Sequence, residues 1–75
     1  MNNQIIRVSP EEADRIIIEW ENSNGIANRN LYLTIEGKWV VAIDNTDGNC
    51  WVEQFETIEA AEQWLIGEGA SNEED

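Results

Sequence analysis

Apolar residues along this chain change their spacing twice. From Ala13 to Trp20 they recur at helical intervals, with Ala13, Ile16, Ile17 and Trp20 on one stripe. From Leu31 to Ile35 they alternate with Tyr32, Thr34 and Glu36, the two-residue period of a half-buried strand. Trp39 to Ile43 is apolar on both faces, which suits a central strand. In Cys50 to Phe55, Trp51, Glu53 and Phe55 share one side and Cys50 and Val52 the other, and either register leaves something apolar on the open face. Helical spacing returns at Ile58, with Ala61 and Leu65 also inward, Trp64 at the margin, and Glu59 and Glu62 outward.

Polar punctuation supports these boundaries. Ser9-Pro10-Glu11-Glu12 reads as a helix start: Ser9 suits the N-cap, Pro10 the first helical position, and Glu12 the third residue of a capping box. Asn22 to Gly25 ends that helix, and Ile26 to Asn30 is a loop. Gly37 turns the chain, Asp47-Gly48 is a hairpin signal, and Thr57 caps the second helix. Gly67 and Gly69 are expected to stop it. Gln4 to Val8 is short and β-branched, either a further strand or a lead-in.

The expected fold is therefore α+β. A three-stranded antiparallel sheet carries two helices on one face, in the order αβββα, with an extra short N-terminal strand left open. Residues 1–69 form a single domain, and residues 70–75 a disordered acidic tail. The predicted core is Ile16, Ile17, Trp20, Leu33, Val41, Ile43, Ile58, Ala61 and Leu65.

Charge narrows the function more than any motif does. Sixteen acids against four basic residues give a net charge of -12 on 75 residues. Ordinary binding to DNA, RNA or an anionic membrane needs cations to neutralise phosphates, so the expected partner is a basic surface. With no histidine in the sequence, the commonest general acid or base is missing. Asp44 to Glu56 fails as a calcium loop: aligning Gly48 with that loop's glycine puts Ile43 and Gln54 at the first and last ligand positions. No enzymatic activity, metal or cofactor is expected. The single Cys50 has no internal disulfide partner and suits a reduced cytosolic setting. Neither a signal peptide nor a membrane span is visible.

Ile18 departs from the helical stripe and lies among acids. The candidate partner contacts are Glu11, Asp14, Ile18 and Glu21 on the first helix. Glu36, Asp44, Asp47, Trp51 and Glu53 are the candidates on the sheet side. Trp51 stands out because tryptophan is enriched among interface anchors.

The run Gly37-Lys38-Trp39, a hairpin, Phe55-x-Thr57 and then Ala61-x-x-Trp64-Leu65 resembles the small sheet-plus-helix domain at the N-terminus of tyrosine-type phage integrases. It covers about half the chain. Ala60 stands where that family usually has glutamate, and Lys38 is the only basic residue among five acids. The resemblance implies the fold but not the DNA binding. In size and acidity the chain also resembles anti-CRISPR proteins and other DNA mimics of phages and mobile elements. That likeness implies a bacterial cytoplasmic inhibitor occupying the nucleic-acid-binding surface of a host protein. The alternative is a protein–protein interaction or assembly module, homodimeric in one form, whose acids only keep it soluble.

Overall fold

A computed structural model describes residues 4–71. Its elements are β1 (Ile5–Arg7), α1 (Pro10–Asn22), β2 (Leu31–Glu36), β3 (Trp39–Asp44), β4 (Trp51–Phe55) and α2 (Ile58–Ser71). The four strands form one sheet in the order β1-β2-β3-β4. The α+β class is as expected, but the sheet has four strands and is mixed. Gln4 to Val8 supplies the extra one: β1 pairs parallel to β2, with Ile5 opposite Leu31 and Arg7 opposite Leu33. Parallel neighbours need a crossover, and α1 provides it.

The register assigns every side chain to a face. Leu33 lies opposite Ala42 and Ile35 opposite Val40; Tyr32 lies opposite Ile43 and Thr34 opposite Val41. Across the next ladder Val40 pairs with Phe55, Ala42 with Glu53 and Asp44 with Trp51. Leu31, Leu33, Val40 and Ala42 pack with Ala61 and Leu65 of α2, joined by Ile5, Phe55, Ile58 and Trp64. Tyr32 and Ile43 pack on the other side with Ala13 and Ile16 of α1, joined by Val8, Ile17 and Cys50.

The helices therefore cover opposite faces, which corrects the one-face arrangement expected from the sequence. The burial of β2 follows: Leu31 to Thr34 are all buried, although their alternation reads as a strand with one wet side. Of the predicted core, Ile16, Leu33, Ile43, Ala61 and Leu65 are buried, whereas Ile17, Trp20, Val41 and Ile58 are half-buried. Phe55 and Trp64 meet at 5.8 Å between ring centroids, tying β4 to α2.

Local signals acted where they stand in the chain. The Ser9 Oγ accepts the Glu12 N–H at 3.1 Å, and the Thr57 Oγ1 accepts the Ala60 N–H at 3.1 Å. Gly37, with φ +62, opens the two-residue turn that joins β2 to β3. The helix-stop reading of Gly67 and Gly69 is corrected, since α2 continues to Ser71. A glycine costs a helix about 1 kcal/mol without forbidding it. Of the expected tail, residues 72–75 lie outside the described residues.

Ser9→Ala is expected to lower stability by about 0.5–2 kcal/mol, because the Glu12 N–H loses its acceptor. A urea titration of the variant checks this, and a midpoint equal to the parent's counts against the cap.

Candidate interaction surface

On α1, Glu11, Asp14, Ile18 and Glu21 are all exposed. At about 100° per residue they fall within roughly 80° of arc, one outward stripe opposite the buried Ala13 and Ile16. Ile18 is 54% exposed in the midst of this acidic stripe. Glu21 lies close enough to the start of β4 for its charge to act on Cys50. Burial pushes the Cys50 thiol above its ordinary pKa, and Glu21 adds to the shift.

The sheet-side candidates do not form one surface. Glu36 lies on the α1 face, opposite Trp39. Trp51 and Glu53 lie on the α2 face, since they pair with Asp44 and Ala42. Asp44 is buried, and its Oδ1 accepts from the Thr46 N–H and hydroxyl at 3.1 and 2.8 Å. It closes a turn and is withdrawn from the contact surface.

Asp47 is exposed and accepts the Asn49 N–H at 3.0 Å, which holds its carboxyl below the ordinary value. The Trp51 indole N–H points to its Oδ2 at 3.5 Å. These two candidates are thereby neighbours.

Asp47 lies in the loop of residues 45–50 that joins β3 to β4. The loop is organised by Asn45, which is fully buried. The Asn45 side-chain amide donates to the carbonyls of Ala27 and Asn28 at 3.1 and 2.8 Å. Its Oδ1 accepts the Cys50 N–H at 3.0 Å. Cys50 itself sits at φ +55 just before β4 rather than within it. The Trp20 indole N–H donates to the Gly48 carbonyl at 2.7 Å, pinning the loop to the end of α1. At Gly48, φ is +87, a backbone conformation that favours glycine, and a Cβ would meet the movable Arg29 guanidinium at 2.9 Å.

The exposed apolar residues Val52, at 47%, and Trp39, at 36%, were not among the candidates. The only signal for Val52 was the two-sided apolar character of β4. That became informative once the strand proved to be the last in the sheet. Arg7, Ser9, Pro10, Glu12 and Thr34 line a cleft of about 360 Å³ at the start of α1. The Thr34 Oγ1 is buried there with no hydrogen-bond partner among the described residues. Arg7 and Glu12 give the cleft one charge of each sign, so it selects neither cations nor anions by charge. No helix among the described residues is long and apolar enough to cross a membrane. Comparison with protein-family models, with curated proteins and with solved structures gives no match to this chain.

Proposed function

We propose that this protein is a non-enzymatic acidic binder that occupies the nucleic-acid-binding surface of a host protein. It is a phage or mobile-element inhibitor of the anti-CRISPR or DNA-mimic type, acting in the cytoplasm of the bacterial host. The observation that carries this reading is the charge of -12 together with its placement. Glu11, Glu12, Asp14, Glu19, Glu21, Glu36, Asp47, Glu53, Glu56, Glu59 and Glu62 are all exposed. Two of the four basic side chains are engaged locally: Arg29 donates to the Gly25 carbonyl, and Lys38 lies over the Trp39 ring. A basic channel that attracts a polyanion by charge attracts a folded polyanion for the same reason.

Exposed ion pairs contribute only about 0–1 kcal/mol each, so the acids act as a set. Single alanine changes at Glu11, Asp14 or Glu21 are expected to change affinity little. Changing all three to lysine is expected to abolish binding through like-charge repulsion. The test is affinity for a partner captured from bacterial lysate, measured across a salt series with and without that partner's nucleic acid. Binding should weaken steeply with salt and compete with nucleic acid. Binding indifferent to both overturns the proposal.

The alternative, an interaction or assembly module, draws on a different observation. Trp51 is 53% and Val52 47% exposed on a strand at the border of the sheet. Such a module would bind through apolar contact and main-chain pairing, with no dependence on salt.

A further inference from the structure

Among the described residues β4 is the last strand of the sheet, so one of its sides faces no other strand. Trp51, Val52, Glu53 and Gln54 are all exposed. The ladder phase settles which main-chain groups point outward. The two-residue turn at Gly37 and Lys38 makes Glu36 and Trp39 a hydrogen-bonded pair. Counting along β3, Val41 and Ile43 also bond to β2, while Val40, Ala42 and Asp44 turn their N–H and C=O groups to β4. The far edge fixes the same phase independently: the Val8 N–H donates to the Leu33 carbonyl, so Leu33 points to β1 and away from β3. On β4, Trp51, Glu53 and Phe55 are then spent on β3. Val52 and Gln54 present their N–H and C=O groups to the free side.

Proteins usually blunt such an edge with lysine, proline, a bulge or a covering segment. The β4 sequence Trp-Val-Glu-Gln-Phe has no lysine or proline, and its single charge is Glu53. We propose that the free edge of β4 takes an extended segment of a partner as a fifth strand. That segment pairs with the main chain of Val52 and Gln54 and places an arginine or lysine opposite Glu53.

Charge selects this occupant over a second copy of the chain. The antiparallel register that uses both outward residues pairs Val52 with the other copy's Gln54. It then sets the two Glu53 side chains directly opposite each other, between two molecules of charge -12 each. Like charges directly opposite across a ladder destabilise it. A cation in that place meets Glu53 and has Trp51 beside it on the same face of the sheet, where an indole attracts a cation. The charge of the added strand rests on the acidic-binder reading, whereas the edge does not.

The test uses the full chain and three capped peptides. One alternates valine and arginine, one alternates valine and glutamate, and the third is the arginine peptide N-methylated on the amides that would face β4. Amide shifts report where each binds. The arginine peptide is expected to perturb Val52 and Gln54. Its methylated form should bind roughly tenfold weaker, for the loss of one or two main-chain hydrogen bonds at equal charge. Gln54→Pro removes one outward N–H without touching a β3 bond, and should weaken the unmethylated peptide to the same degree.

Equal binding of methylated and unmethylated peptides overturns the edge while leaving the acidic-binder reading intact. Binding of the glutamate peptide as tight as that of the arginine peptide overturns the basic segment and counts against both readings. Concentration-dependent self-association that is broken by Gln54→Pro, with none of the three peptides bound, gives the edge to a second copy and overturns the proposal.

Discussion

Asn45→Ala is expected to destabilise the domain by about 3 kcal/mol or more, although the residue lost is polar. Its side chain satisfies three main-chain groups at once: the carbonyls of Ala27 and Asn28 and the N–H of Cys50. Truncation leaves all three in a site where Asn45 itself is fully buried. A buried group left without a partner costs about 1–3 kcal/mol, and some of the three regain water as the loop relaxes. A chain of 75 residues has a total stability of only about 4–11 kcal/mol, so the loss is a large share of it.

Asn45→Asp separates hydrogen bonding from shape. The introduced carboxyl keeps the acceptor for Cys50 but loses both donors, and when ionised it faces two carbonyl oxygens. Burial and those carbonyls raise its folded pKa above the ordinary value of about 3.9. A raised folded pKa means that stability is greatest below the unfolded pKa and is lost as pH rises through the folded one. The aspartate variant should therefore be weaker than the alanine variant at pH 7 and recover near pH 4. Urea denaturation of parent and both variants at the two pH values is the measurement. Parent-like stability of either variant at pH 7 would show that the loop does not depend on this residue.

The second large effect is expected at Leu33. It is fully buried in the cluster with Leu31, Val40, Ala42, Ala61 and Leu65. Leu33→Ala should cost about 2–5 kcal/mol, from the lost transfer of the side chain and the cavity left between β2 and α2. Val41 serves as the internal contrast. It lies in the next strand, on the α1 face, and is half-buried. Truncating it should cost about 1 kcal/mol, near the lower end for a partly buried aliphatic group. Melting midpoints that move equally for the two variants would contradict the division of the core between the faces.

Val41 also shows where reading the chain alone reaches its limit. Trp39 to Ile43 is apolar at every position, so the pattern cannot rank its residues. Tertiary cover ranks them: Val40 and Ala42 lie under α2, and Ile43 lies under α1. Val41, on the α1 face, is half-buried and outside the cluster that holds Ile43. The candidate contacts divide in the same way. The α1 stripe of Glu11, Asp14, Ile18 and Glu21 follows from one helical period and is exposed as a set. Asp44 and Asp47 belong to one polar stretch and look equivalent there. Asp44 is buried against Thr46, whereas Asp47 stands in solvent beside Trp51.

The sequence by itself determined the helix starts at Ser9 and Thr57, the turn at Gly37, and the strand character of β2, β3 and β4. Each rests on interactions within about four residues, so the information is local. Only the tertiary structure decided that Gln4 to Val8 adds a parallel strand and that α1 and α2 take opposite faces. It alone decided that Asn45 holds the long loop and that β4 borders the sheet with Val52 and Gln54 turned outward. These depend on pairings between residues tens of positions apart, such as Ile5 with Leu31 and Asn45 with Ala27. A two-residue period states that a strand has two faces, but which face is covered, and which edge is free, is settled by elements elsewhere in the chain.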